Sequence, residues 1–339
     1  MLKLGQKKKE AVGLDIGSYS IKVASVKKEA AEHVLNIYNI KNVKNNGNKS
    51  SDIGSLIEEV FSEIDLHPED VNLSISGPDV IVRFIDLPKM SKDQLANALF
   101  FEAEKYIPFN VNEVIMDSLI LGDAADPGQM RVLLAAAKRE VLEKRIKLVE
   151  KAGMSVNLVD IDSFAIFNAY LESYPASDNN GKAFLDFGHS QTNVLISIGS
   201  EPSFMRQVQI GGGDITGAIC KKIGISAKEA EQMKMNPGEE NKETVQQAVA
   251  SVLDDLIGEI QLSLGYFENR YNNMVGDFFC SGGMIYQEGV MEYLGNKLGV
   301  QVKKWSPVSG IRLSEDLSRE DTDQVSSQLA VCVGLALRG

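Results

Sequence analysis

The 339-residue sequence holds three cysteines, Cys220, Cys280 and Cys332, set far apart and in no C-x-x-C pair. That excludes a disulfide framework and supplies no zinc-ligand spacing, so a reducing compartment fits best. Aromatic residues make up 7% of the chain, with a single tryptophan, too few for an extended base-stacking surface. Positive charge is also short: 35 Lys plus Arg against 47 Asp plus Glu leaves a net charge of −12. The basic field that drives counterion release from a phosphate backbone is therefore missing, which argues against general nucleic-acid binding. The longest apolar run, Leu329 to Leu337, is about half of the roughly 20 residues that a membrane-spanning helix needs. Behind the basic N-terminus MLKLGQKKKE, Asp15 and Gly17 interrupt the first hydrophobic run, so no signal peptide is expected. Lys7, Lys8 and Lys9 read either as a frayed solubilising tail or as a contact with anionic lipid. The length predicts about two domains, with ample chain for a core.

What is present is a regular alternation of strand and helix patterns. AVGLDIG, a turn at Gly17 and Ser18, and SIKVASVKK form an opening hairpin, a third strand covers His33 to Val43, and an amphipathic helix covers Asp52 to Ile64. VNLSISG follows as a buried strand. From Pro78 to Gly153 the pattern describes a small αβ module: the strand VIVRFIDLP, a helix opened by the capping box Ser91 and Gln94, two strands, and a helix from Arg139 stopped at Gly153. The Leu95, Leu99, Ala103 and Tyr106 face of its first helix reads as core. VNLVDID and SFAIFNAYL are then strand and helix. After a polar loop, AFLDFGHSQTNVLISIG repeats the strand, Gly turn and strand of the opening, and GGGDIT feeds a helix with Asp214 as its expected cap. Val245, Val249, Val252, Leu256, Ile260, Leu264 and Phe267 keep helical spacing along the longest helix, Thr244 to Asn272.

Apolar-apolar-Asp-apolar-Gly occurs in both halves, at Asp15 and at Asp186, which suggests an internal repeat of a hairpin unit. A lone D-x-G is a β-turn. Two copies that face each other across a cleft can also grip a polyphosphate, because glycines let backbone N–H groups approach the oxygens and carboxylates hold Mg²⁺ through water. Lys22 lies close enough to return over the phosphates. Thr192 and Asn193 close the second hairpin, Glu231 and Lys234 share a helix face suited to ribose hydroxyls and a purine edge, and Ser281, Gly282 and Gly283 end a buried strand where a flat base can pass.

In this order of elements the chain resembles the actin-like ATPase superfamily, and within it the PilM family of type IV pilus assembly proteins, relatives of the division protein FtsA. The stretches that carry the resemblance are GLDIGSYSIKVA, DLPKMSKDQLANALFFEAEKYIPF followed by Asp117, LLAAAKREVLEKRIKLVEKAG, VDIDSFAIFNAY, GGGDIT, AEQMK and EIQLSLGYF. The resemblance implies an α/β actin-like ATPase fold with two duplicated ribonuclease-H-like lobes. It implies subdomain 1A at 10–78, 154–180 and again at 323–339, 1C at 79–153, 2A at 181–214 and 275–322, and a 2B-type insert with an adenosine-contacting helix at 215–274. ATP and Mg²⁺ are the implied cofactors. Gly17, Ser18, Tyr19, Ser20, Lys22, Gly188, His189, Ser190, Thr192, Gly212 and Gly213 fall at the phosphate-side positions, and Asp15 and Asp186 at those of the two metal-side aspartates. Glu231, Lys234, Gly282, Gly283 and Met284 fall at adenosine contacts, and Asp162 where a residue orients the attacking water.

His189 stands where actin has an acidic residue, and Asn193 where the chaperone members have Asp, so firm ATP binding with slow or negligible hydrolysis is the expectation. The implied partner is the N-terminal cytoplasmic tail of PilN, docked near a groove between 1A and 1C, with Tyr106, Ile107 and Phe109 as its candidate lining. The implied location is the inner face of the cytoplasmic membrane, reached through that partner. Two other readings stay open. An FtsA-like division protein is expected to continue into an amphipathic membrane helix, which the sequence up to Gly339 does not contain. A small-molecule kinase of the same superfamily would need a polar acceptor pocket that the sequence does not identify. Walker A and G-x-S-x-G patterns do not occur.

Overall fold

The computed structural model describes residues 10–30, 32–43, 45–46, 49–50, 53–174 and 179–338. Lys7, Lys8 and Lys9 lie outside them. The chain opens with β1 (Glu10–Ile16), β2 (Ser20–Glu29) and β3 (Glu32–Asn42), followed by the two-residue strands β4 (Asn45–Asn46) and β5 (Lys49–Ser50), α1 (Ile53–Ser62) and β6 (Asp70–Ile75). An insert comprises β7 (Val80–Pro88), α2 (Lys92–Glu102), β8 (Val114–Asp123), β9 (Gln129–Lys138) and α3 (Arg139–Lys151). β10 (Ser155–Ile161) and α4 (Asp162–Ser173) complete the first half. The second half runs β11 (Gly181–Phe187), β12 (Thr192–Ile198), β13 (Glu201–Val208), α5 (Gly212–Ile223), α6 (Ala227–Met235), α7 (Gly238–Tyr271), β14 (Val275–Gly282), α8 (Val290–Leu298) and β15 (Val302–Lys304). Last come β16 (Arg312–Leu313), α9 (Arg319–Val325) and α10 (Ala330–Ala336).

The two large sheets have one topology. The first is ordered β10-β6-β1-β2-β3-β16 and the second β13-β12-β11-β14-β15. In each, three strands meander antiparallel and two further strands add in parallel to the first of them. Strands β1 and β11 are central and apolar on both faces, as a strand covered by helices on both sides must be. The repeat suspected from the two D-x-G strings is therefore a repeat of whole lobes, and the fold is the actin-like ATPase fold. Register aligns the copies further: Asp15 pairs with Lys22 across the first hairpin and Asp186 with Asn193 across the second.

The insert folds on its own antiparallel sheet, ordered β7-β9-β8. Ser91 caps α2 as expected, its Oγ accepting from Gln94 N while Ser91 N donates to Gln94 Oε1. Leu95, Leu99 and Ala103 are buried against Ile85, Val132 and Leu134. Ile107 is buried in the same core, and Tyr106 and Phe109 pack against it. Of the three side chains expected to line a groove, Ile107 is buried, whereas Tyr106 and Phe109 are half-buried and keep part of their rings at the insert's surface. Among the described residues of the insert, the exposed aromatics are Phe100 and Phe101 on α2.

Two boundaries differ from the sequence reading. α7 starts at Gly238, ahead of Thr244, because Pro237 already has helical dihedrals and Glu239 and Glu240 favour a helix N-terminus. β16 pairs with β3, so the chain is back on the first sheet by Arg312, ahead of residue 323. Asp214 is also not the residue that caps α5. The cap is Gly211, whose N–H donates to Asp214 Oδ2 at 2.8 Å from the helix's first turn.

α10 locks the first lobe. It is buried along its whole length, which stabilises by about 1.5–3 kcal/mol for each large apolar side chain, and Leu335 O accepts from Asn72 Nδ2 at 2.8 Å. It can lie this close because Gly334 and Gly13 have no side chains: a Cβ on Gly334 would sit 1.8 Å from Ala165 O, and one on Gly13 would sit 1.9 Å from Cys332 O. Gly334→Ala is therefore expected to destabilise by about 1–3 kcal/mol or more. Gly258→Ala, in α7 where a Cβ meets nothing within 4 Å, should stabilise by about 1 kcal/mol. Urea unfolding midpoints that move the same way in both variants would contradict this packing.

Candidate functional site

The turns of the two matching hairpins come together. Gly17 N donates to Ser20 O and Gly188 N to Gln191 O, each at 3.0 Å, and a Cβ on either glycine would stand 2.8 Å from the same carbonyl oxygen that its N–H reaches. Only glycine keeps either turn this tight. Across the gap Ser18 Oγ donates to Ser190 Oγ at 3.1 Å, the Tyr19 and His189 rings lie 5.1 Å apart, and burial together with the nearby Glu231 charge raises the Tyr19 pKa. Behind these contacts lies a cavity of about 600 Å³ between the lobes.

At its base are three carboxylates and a lysine. Lys22 Nζ donates to Asp15 Oδ2 at 2.8 Å with both side chains largely buried. Burial works against the Lys22 charge, but Asp15 beside it outweighs that, and the Lys22 pKa lies above the ordinary lysine value. Asp186 accepts from Ser281 Oγ at 2.9 Å and from Asn193 Nδ2 at 3.4 Å. Burial raises its carboxyl above the usual range, and the negative Asp15 adds to this against the opposing hydrogen bonds. Asp162, the first residue of α4, faces the same space. Burial pushes its carboxyl up to about 6, Asp15 and Asp186 push the same way, and the hydroxyls of Ser76 and Ser74 oppose them. Among the described residues no three His, Cys, Asp or Glu gather closely enough to hold a metal ion directly. A cation here would be held through water, as hard cations often are.

The far end is built on α5 and α6. Gly212 N donates to Gly188 O and Gly213 N to His189 O, and a Cβ on Gly211 would lie 2.5 Å from His189 O. The glycine run thus seats α5 directly under the second hairpin. Lys234 donates to Gly212 O, Thr216 Oγ1 and Glu231 Oε2. An ammonium has three protons, so all three of Lys234 are engaged in this arrangement, where it holds Glu231 in place. Burial opposes the Glu231 charge, but Lys234 and Thr216 outweigh it and hold its pKa below the usual value. His189 is half-buried, and burial with Lys234 nearby lowers its pKa, so it is neutral at pH 7.

Of the residues expected at the site, Asp15, Gly17, Ser18, Tyr19, Ser20, Lys22, Asp162, Asp186, Gly188, His189, Ser190, Gly212, Glu231, Lys234, Gly282, Gly283 and Met284 all border the cavity. Thr192 does not: it is fully buried, its Oγ1 donating to Ile210 O at 2.8 Å. Gly213 supports the His189 backbone from behind. Sequence reasoning missed Arg145, whose Nη1 donates to Ile16 O at 2.7 Å, and Ser74 and Ser76 beside Asp162. Asn72, Ser74 and Ser76 form a polar period of two in an otherwise apolar strand, a signal that was available. Arg145 gave none, because α3 reaches the cleft only through the placement of the insert.

The sequence profile of the family described as type IV pilus assembly protein PilM matches residues 13–339. The cell division protein FtsA of Streptococcus pneumoniae serotype 2 is 26% identical over 349 residues, covering 87% of this chain and 75% of that protein. Among solved structures, a PilM–PilN type IV pilus biogenesis complex aligns with a TM-score of 0.85 and 25% identity, covering 98% of this chain and 99% of that one. MreB 5 of Spiroplasma citri bound to AMPPNP aligns over 97% of this chain and 95% of its own with a TM-score of 0.52. Its 12% identity shows a shared fold alone.

The cleft carboxylates make stability depend on pH. Below pH 3.8 Asp162 is protonated folded or unfolded, and its contribution is intact. As pH rises from there to about 6, the unfolded chain releases a proton that the folded chain still holds, so stability falls by at most about 1.4 kcal/mol per pH unit. Asp162→Asn is expected to flatten this decline and to exceed the parent at neutral pH by about 1–2 kcal/mol. Urea midpoints of the two proteins that run parallel across this range would refute the assignment.

Proposed function

The chain belongs to the type IV pilus assembly protein PilM family, and on that premise we propose that it is an ATP-binding, actin-like scaffold of the inner-membrane pilus assembly complex that holds the N-terminal cytoplasmic tail of PilN. The observation that carries the nucleotide half is the pair of matching hairpins, with Asp15 and Asp186 at equivalent positions, bordering one cavity of about 600 Å³. The residues fit the group: glycine turns too tight for a side chain, a lysine at the base, and carboxylates with no metal-binding cluster of their own. When bound, Mg²⁺–ATP supplies phosphate oxygens and a divalent cation between groups of this chain that otherwise repel.

In this reading the Gly17 and Gly188 turns bind phosphate oxygens through main-chain N–H groups and Lys22 neutralises part of their charge. Asp15 and Asp186 hold the cation through water. Glu231, fixed by Lys234, meets ribose hydroxyls, and Gly282 and Gly283 leave room for the base. Asp162, with a pKa near 6, is mostly ionised at pH 7 and able to accept a proton from water. Asn193 donates to Asp186 where related chaperones carry a carboxylate, so turnover is slow or negligible. Occupancy of both hairpins at once favours the closed arrangement of the lobes, and the scaffold is read out by whichever partner prefers that state.

The neighbouring solved structure is a PilM–PilN complex, and this supports PilN as the partner. With PilN as partner we place the protein at the membrane's inner face; no helix among the described residues is long and apolar enough to cross a membrane.

Asp186→Asn and Asp15→Asn should each weaken ATP binding in calorimetric titrations by about tenfold or more, roughly 1.4 kcal/mol. The amide is preferred at Asp15 because it keeps a hydrogen-bond acceptor for the buried Lys22, whereas Asp15→Ala leaves that ammonium with neither counter-charge nor acceptor, at about 3–5 kcal/mol of stability. Unchanged ATP affinity in both would refute the site. A synthetic peptide of the PilN tail should bind more tightly with ATP present than without; absence of binding in either condition would remove the scaffold reading.

A further inference from the structure

A second cavity of about 540 Å³ lies outside the cleft, between β7 of the insert and β13 of the second sheet. Each is the end strand of its sheet among the described residues, β7 paired with β9 and β13 with β12. Each therefore presents main-chain N–H and C=O groups that no ladder takes up. Met205 of β13 packs on Val80 and Val82 of β7 and closes the floor. Above it, the rings of Phe204 and the exposed Tyr266 lie 5.5 Å apart, tilted at 42°, as an aromatic wall.

The charge of this groove is opposite to that of the chain. Arg83, Arg206 and Arg270 line it and no Asp or Glu does, in a protein of net charge −12. Arg206 is paired with Glu259, and Arg270 with Asp86 at 3.0 Å. Arg83 is exposed and has no carboxylate partner among the described residues; its Nη1 donates to the neighbouring Val82 O at 3.0 Å. A second group also lacks a partner. Gln207 accepts from Gly77 N at 3.1 Å through Oε1, while its Nε2 is buried with nothing to donate to, a situation that costs about 1–3 kcal/mol until an acceptor arrives.

We infer that this groove binds an extended segment of a partner protein in which acidic and apolar residues alternate. A carboxylate meets Arg83 and apolar side chains settle on Phe204 and Tyr266, while the segment's backbone runs along the free edge of β7. The lining stretch of β7, Val80 to Phe84, corresponds to about 16 Å of strand, or about five peptide residues. Pro78 and Gln209 border both this groove and the cleft, so the test is run without nucleotide and does not depend on the ATP reading.

The probes are a fluorescein-labelled hexapeptide of alternating glutamate and leucine and its lysine counterpart, titrated by anisotropy into the full chain. The acidic peptide should bind at least about tenfold more tightly than the basic one, and Arg83→Glu should remove that preference. Tyr266→Ala, also at an exposed side chain, should weaken binding severalfold, and hydrogen exchange should slow at residues 80–84. Failure of the acidic peptide to bind, equal binding of the two peptides, or full affinity in Arg83→Glu overturns the proposal. Self-association that Arg83→Glu abolishes assigns the face to a second copy and overturns it as well.

Discussion

Three carboxylates and one ammonium share the base of the cleft, and this imbalance governs the structure around it. Asp15 is paired with Lys22, but Asp186 and Asp162 are left with hydroxyls and amides alone, and both are driven toward their neutral forms by burial first and by the Asp15 charge second. A core free to relax would replace such groups with apolar ones or separate them. They persist because the two hairpins and the start of α4 hold them in place through the backbone. Carboxylates held together in this way by rigid elements, with raised pKa values, are a common mark of functional sites.

The rigidity comes from duplication. Each hairpin is anchored in the centre of a sheet of the same topology, and each turn is drawn tight by the same glycine-to-carbonyl hydrogen bond. The first is backed by α10, seated on Gly13 and Gly334, and the second by α5, seated on the glycine run at 211–213. Small shifts of either lobe are therefore felt at the turns. The Ser18–Ser190 hydrogen bond and the Tyr19–His189 contact are the places where one lobe senses the other. The sheet of the insert stands apart from this frame, and β7 and β13 are left as end strands beside each other, which is where a surface for extended segments arises.

Much of this was legible beforehand for definable reasons. The D-x-G strings, the capping box at Ser91 and the period-two strands are local patterns, and local patterns survive translation into structure because they depend on neighbours within a few residues. Most of the expected cleft residues were found for the same reason, since they sit on turns and strand ends that motifs describe. The misses share the opposite cause. Ile107 and Thr192 look like exposed or polar site residues in the sequence, yet each is buried by elements far away in the chain. Arg145 reaches the cleft from a helix that no motif marks, and Lys234 carries the expected charge with all its protons already committed.

The sequence by itself determined the fold, the repeat and the identity of the charged groups, because hydrophobic periodicity, glycine and strand-turn chemistry are written residue by residue. Tertiary structure alone decided which of those groups face one another, which side chains are occupied by their neighbours, and which strand edges stay open. Those are properties of distance and burial, and the electrostatic and hydrogen-bonding energies that give the site its chemistry come into being only when residues remote in sequence are brought within a few ångströms and shielded from water.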